Sequence, residues 1–418
     1  MDKYLRQYAE RGTTGIENLP AGEPWQQVVV IPVCNESTGI LRPLPPAPGR
    51  SLMILVVNET ELAGKRVSAA NRAFVAGVRS RFELQWQSDD DAGLAFFKDL
   101  ASPRDILLVD RFSDGLSFPP KGGVGHARKL GADLAARLIH ERRVQSPWIH
   151  CSDADVHLPD RYFICSGAIE RGDEQNISTL IYPFEHVIAS DSPDAQKVME
   201  VTRLYEYSLQ YYVDGLHYAG SPYAFHTVGS TMAVNALHYA RVRGFPRRQA
   251  GEDFYLLNKL AKVGSIRQLR ATEDCQPITI TARRSDRVPF GTGAATVKLL
   301  ELEDPENEFL LYHPGVFELL RSWLDSLPDF WALKSSDIGA VLSAPEWRTL
   351  VEGLDASGVV KALEHALRQS SDEKQFKRQM HTWFDAFRTL KLIHYLRDHH
   401  LPSVSYRSLV KNPAVFQP

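Results

Sequence analysis

Three short apolar runs, VVVIPV (28–33), LMILVV (52–57) and DILLVD (105–110), constrain the fold more than any other feature of this chain. Each is strand-sized, with the third bounded by Asp105 and Asp110 around ILLV, the pattern of a strand covered on both faces. Such a sheet needs helices between its strands, and the intervening segments supply them. Residues 61–86 lack Pro and space Val67, Ala70, Phe74, Val75 and Val78 three or four apart. HARKLGADLAARLIHERR (126–143) reads as an amphipathic helix, and EDFYLLNKLAKVG (252–264) as a helix closed by Gly264. Further strands are expected at WIHCSDAD (148–155), ISTLIYPF (177–184) and TMAV (231–234). The fold class is therefore α/β, a mostly parallel, Rossmann-like sheet flanked by helices. Ligands are expected at the carboxyl ends of its strands.

Residues 1–26 form a polar lead-in that ends in the turn signals Pro20, Gly22 and Pro24. Beyond about Val297 the texture changes to long helical stretches, Val316–Leu327, Pro345–Leu354, Gly358–Arg368 and Gln375–Asp398. A boundary near residue 300 thus separates an α/β domain (27–300) from an all-helical region (301–418). Trp323, Phe330, Trp331, Trp347, Trp383 and Phe384 fit the core of that region better than an acceptor platform. With 48 Lys+Arg against 51 Asp+Glu, and a net charge of -3, a nucleic-acid partner is not expected. No apolar run reaches membrane-spanning length, and the polar N-terminus lacks a secretory core. The four Cys contain no CxxC pair, so neither a disulfide framework nor a structural zinc is indicated. A cytoplasmic chain is expected, with association at the inner face of the membrane left open.

The chemistry lies at the strand ends. The first strand closes on Pro32-Val33-Cys34-Asn35-Glu36, polar groups that suit a nucleotide base or ribose, or a capped turn. The second closes on Asn58-Glu59-Thr60. GGVGHARKLG (122–131) leads glycines into a helix start, where Lys121 and Arg128 could meet a diphosphate. Its spacing is neither a dinucleotide fingerprint nor a P-loop, and a glycine loop before a solvated basic helix fits as well. Asp153-Ala154-Asp155 is the sharpest feature. A strand ending D-x-D offers both carboxylates to one region, as a hard divalent cation requires. Gly251-Glu252-Asp253 opens a helix, where acids serve either the helix dipole or general-base chemistry. The run Arg283-Arg284-Ser285-Asp286-Arg287, with Pro289-Phe290-Gly291-Thr292-Gly293, folds over a phosphate or stays a solvated loop. Histidines at 150, 157, 186, 217, 226 and 238 form no HExxH pair.

Taken in order, VVVIPVCNES, LVVNET, GVGHARKLGADLA, SDADVHLPDRYF and GSTMAVNALHYARVRGFPRRQAGEDFYLLNKLAKVG closely resemble glycosyltransferase family 2 over about residues 27–296. The resemblance implies a GT-A fold, a UDP- or GDP-sugar donor, Mg2+ or Mn2+, and inversion at the anomeric carbon. It implies nucleotide contacts at Pro32, Asn35, Glu36 and Asp153, metal binding at Asp155 with Asp153, and catalysis by Asp253 beside Glu252. Asn58 stands where the family usually has an Asp on the base, which leaves the choice of base open. Lys121, Arg128 and Arg284 complete the expected nucleotide site. The acceptor is a glycan, a lipid-linked molecule or a small molecule. Two rivals are a sugar-phosphate nucleotidyltransferase and a non-catalytic nucleotide-sugar-binding protein. The first should carry an Arg-bearing Gly-rich loop directly after the first strand, and IPVCNES lacks it.

Overall fold

A computed structural model describes residues 1–89, 92–167, 176–285, 291–333, 338–355 and 358–411. They divide into two compact units, one of residues 1–199 and 227–294, the other of residues 200–226 and 295 onward.

The first unit holds strands β1 (Gln27–Val33), β2 (Ser51–Asn58), β3 (Glu83–Gln87), β4 (Leu94–Lys98), β5 (Arg104–Arg111) and β6 (Trp148–Cys151). β7 (Val156–His157), β8 (Ile177–Ile181), β9 (Phe184–Val187), β10 (Met232–Asn235), β11 (Ser265–Gln268) and β12 (Ile278–Thr281) follow. Nine of them form one sheet in the order β11-β8-β10-β6-β1-β2-β5-β4-β3. β6, β1, β2 and β5 run parallel, while β10 and β4 run against their neighbours. Every residue of β1 and β2 is buried, as their unbroken apolar runs require. β7, β12 and β9 form a second, three-stranded sheet.

The chain's first helices are α1 (Asp2–Gln7), α2 (Lys65–Arg81), α3 (Val124–His140), α4 (Tyr162–Gly167), α5 (Pro193–Tyr218), α6 (Ala236–Arg241) and α7 (Glu252–Leu260). α3 departs from the amphipathic, solvated helix expected for it. It packs on β1 and β2, and nearly every residue from Gly125 to Leu138 is buried. The lead-in covers its other side. Tyr4 donates to Asp133, the Glu10 N–H reaches the same carboxylate at 2.8 Å, and Lys129 and Tyr239 meet it at 3.1 and 2.8 Å. Burial raises the Asp133 carboxyl against the pull of Lys129.

Three expected elements end early. The helix of 61–86 stops at Arg81, and Leu84 and Trp86 belong to the edge strand β3. The strand of 148–155 stops at Cys151; Ser152 still donates to Val30 O at 3.0 Å, and the Val156 N–H then turns back to Asp153 O at 3.2 Å. The strand of 177–184 stops at Ile181, because Pro183 has no N–H to continue a ladder, and β9 enters the second sheet.

The second unit is helical, apart from a two-strand ribbon at Leu310–Leu311 and Val404–Ser405. Gly315–Asp325 and Arg348–Asp355 pack on Ala386–His399, and Val359–Gln369 packs on Glu373–Trp383. Phe317, Trp323, Phe330, Phe376 and Phe384 fill its core, and Trp331, Trp347 and Trp383 pack against them. The helix expected over 375–398 is broken at Asp385, whose side chain caps a new one by accepting the Arg388 N–H at 3.1 Å.

Candidate active site

β1 is the strand at which the order of connection reverses: β2 and β5 follow on one side, β6 returns on the other. Ligands settle in such crevices. Here the crevice is opened by β6, which pairs only with Val28, Val29 and Val30 before its chain turns away. Pro32 lies two residues beyond Val30, so its ring nitrogen faces the side that β6 has left. A residue with no N–H stands where a donor would have no partner.

The turn after β1 is held by buried amides. Asn35 takes a left-handed φ of 56°, and its N–H donates to Asn71 Oδ1 at 3.0 Å. Asn71, fully buried on α2, donates in turn to Asn58 O and to Glu59 at 3.1 and 3.2 Å. The Asn58 amide donates to Val33 O and Val56 O, each at 3.1 Å. Asn58 thereby ties the ends of β1 and β2 together. Asn71 carried no signal in sequence beyond a polar residue inside an apolar helical pattern.

Arg128 gathers one set of carboxylates. It stands near the start of α3 and is only 4% exposed. One terminal nitrogen donates to Gly229 O at 2.8 Å, and the other reaches both Asp153 oxygens at 2.8 and 2.9 Å. Its Nε lies 2.8 Å from Glu252 Oε1, an ion pair without hydrogen-bond alignment. Glu252 is brought there by the loop before α7. The Gly125 N–H donates to Arg248 O at 3.2 Å, and a Cβ on Gly125 would stand 2.5 Å from that oxygen. Burial pushes Glu252 up to about 7 against the pull of Arg128, and the neighbouring Asp253 charge adds to the rise. Asp253 is also raised by burial, while Arg128 and the backbone N–H groups of Phe254 and Gly229 hold it down. Arg128 thus lies between Asp153 and Glu252, with Glu252 buried and the adjacent Asp253 half-buried as a residue.

Arg283 gathers a second set. Its Nε lies 2.9 Å from Asp155 Oδ2, and its terminal nitrogens take both Glu36 oxygens at 2.7 and 3.2 Å. The backbone beneath is fixed by Thr281 N–H to Asp155 O at 3.0 Å and Ala282 N–H to Val187 O at 2.9 Å. The two acids of D-x-D therefore face different guanidiniums, because they sit in a turn and not on one face of a strand. Arg284 points to Asp194 at 2.6 Å on the surface, and Lys121 is exposed on the loop before α3; neither makes an ion pair with either set. Of the run 283–293, residues 286–290 lie outside the described residues.

No histidine joins the two sets by a hydrogen bond or ion pair among the described residues. His150, fully buried on β6, is pushed down to about 3 by burial and bridges Gln27 and Tyr162. Among the described residues no group of three His, Cys, Asp or Glu converges as a complete metal cage. The oxygen donors nevertheless fit a hard cation. Glu36 and Asp155, from separate loops, already bracket one positive charge, and such ions commonly take one or two carboxylates plus phosphate oxygens. A separate cleft of about 390 Å³ between α2 and the β4–β5 pair, lined by Arg79, Leu94, Leu108 and Asp110, shares no residue with either set. Among the described residues no helix is long and apolar enough to cross a membrane.

No protein-family model matches the sequence, and no curated protein matches it. Among solved structures the chain is similar to the mannosyltransferase PcManGT from Pyrobaculum calidifontis in complex with GDP-Man and Mn2+. The two are 14% identical over 96% of each chain, with a TM-score of 0.35, a likeness too distant to carry an argument.

Proposed function

We propose that the chain is an inverting glycosyltransferase of the family 2, GT-A kind, moving a sugar from a nucleoside-diphosphate sugar to an acceptor hydroxyl. One observation carries the reading. Arg128 draws Asp153 and Glu252, which are 99 positions apart, to one guanidinium at a crevice between strand ends, with Asp253 beside them. A buried Arg with three fixed partners serves as a positioning residue. It keeps the start of α7 facing the D-x-D turn.

Asp253 is the base in this reading. It is the more exposed of the two adjacent acids, and a raised pKa brings a carboxylate nearer the working pH of a general base. It takes the acceptor proton as the hydroxyl attacks from the face opposite the departing nucleotide, and a single displacement inverts the anomeric centre. Glu252, buried against Arg128, keeps Asp253 company electrostatically and does not reach the acceptor. The β1 turn at Asn35 and Glu36 faces the nucleotide. Asp155, with Glu36 beside it, would hold the divalent cation, which when bound supplies charge neutralisation to the departing diphosphate.

The test is incubation with UDP- and GDP-sugars and Mn2+ or Mg2+, scoring nucleoside diphosphate release with and without acceptors. Release that depends on an acceptor is expected. Release of pyrophosphate from a nucleoside triphosphate would favour the nucleotidyltransferase, and binding without turnover the non-catalytic reading.

A further inference from the structure

Arg283 differs from Arg128 in a way that gives it a separate task. Arg128 is enclosed, whereas the Arg283 side chain keeps 31% of its surface open. It bridges Glu36 and Asp155, which come from opposite walls, the turn after β1 and the turn after β6. Its backbone neighbours are pinned to Asp155 and Val187, so a change of partner needs only side-chain rotation. A guanidinium in that place neutralises the same carboxylate oxygens a divalent cation would use, and both cannot be satisfied by the same lone pairs. A diphosphate arriving with the cation offers the guanidinium a new bidentate acceptor.

We propose that Arg283 is a resident counter-cation that competes with a divalent ion for Glu36 and Asp155 and passes to the diphosphate when a nucleotide binds. This rests on the glycosyltransferase reading. Arg283 then couples the two ligands: metal alone binds weakly, and metal with nucleotide binds well.

The experiment is titration of Mn2+, followed by the electron paramagnetic resonance of the free ion, without nucleotide and with UDP or GDP. Arg283→Gln should bind Mn2+ alone about tenfold more tightly than the unaltered protein, the scale of one charge-assisted contact. The same variant should bind UDP or GDP with Mn2+ about tenfold more weakly. Arg283→Lys, which keeps the charge, should retain the weak binding of Mn2+ alone, and circular dichroism of each variant reports its folding. Unchanged or weaker Mn2+ binding in a folded Arg283→Gln protein, while the unaltered protein still binds Mn2+ with nucleotide, overturns the role of Arg283 alone. Failure of the unaltered protein to bind either nucleotide with Mn2+ overturns the parent reading with it.

Discussion

At the scale of single residues, the division of labour between Glu252 and Asp253 is open to direct test. Asp253→Asn keeps the size and the N–H contacts but cannot accept a proton. Transfer should fall by about 100-fold or more while nucleotide affinity stays; equal turnover, followed by nucleoside diphosphate release, would remove the assignment. Glu252 gives a different signature. Its folded pKa is raised to about 7 above the usual carboxylate value of 4.5. A group raised in this way stabilises the fold below its unfolded pKa, and that contribution is lost as pH rises through the folded one. Between pH 4.5 and 7 the native state holds a proton that the unfolded chain has released. Glu252→Gln is neutral throughout, so its melting temperature should fall less between pH 5 and 8 than that of the unaltered protein. An identical pH slope would show that Glu252 is not raised. The acids themselves were legible in the sequence as candidates, since D-x-D stands where an apolar run stops and E-D opens a helix. Their guanidinium partners were not: choosing Arg283 over Arg284, or burying Arg128 instead of offering it to phosphate, depends on contacts distant in sequence, Arg283 to Glu36 and Asp155, and Arg128 to Gly229 and Glu252.

Secondary-structure elements follow the same rule. β1, β2 and β5 announce themselves because a strand buried on both faces has no polar interruptions. β3 is mostly exposed at the sheet's edge, and β7, β9 and β12 are short and lie in a second sheet, so their periodicity is too brief to separate from turns. The outer face of α3 was hidden for another reason: its cover is the polar lead-in, and Asp133, Tyr4 and Lys129 satisfy one another only once assembled. Its inner face gives the prediction. A Cβ on Gly131 would stand 2.4 Å from Val30 Cγ1 and 3.1 Å from Val56 Cγ2, both on central strands that cannot retreat. Gly131→Ala should therefore destabilise by about 1–3 kcal/mol, as overpacking does, despite the better helix propensity of Ala. Urea unfolding measures it, and a variant as stable as the parent would mean that α3 does not press on β1.

Across the whole molecule, the change of texture near residue 300 tells where the long helices begin but not which earlier residues belong with them. The second compact unit takes in residues 200–226 as well. Tyr211, Leu216, Ala219 and Ala224 share a core with Phe317, Leu320 and Trp323, and a Cβ on Gly215 would lie 2.6 Å from the Phe317 ring. Tyr211 and Tyr223 donate their hydroxyls to Tyr312 O and His381 O at 2.8 and 2.7 Å. Nothing local in 200–226 reveals those partners, because an apolar helical face reads the same whether it meets a sheet or other helices. A chain cut after residue 300 would keep this segment and lose what covers it, at about 1.5–3 kcal/mol for each large side chain returned to water. Against a stability of about 5–15 kcal/mol for a typical domain, uncovering several such residues together is a large loss. The shortened chain should bind a hydrophobic dye and be cleaved by protease within 200–226, where the full chain resists. Protection of that segment in the shortened chain would mean that residues 200–226 do not depend on the helices beyond residue 300 to hold them.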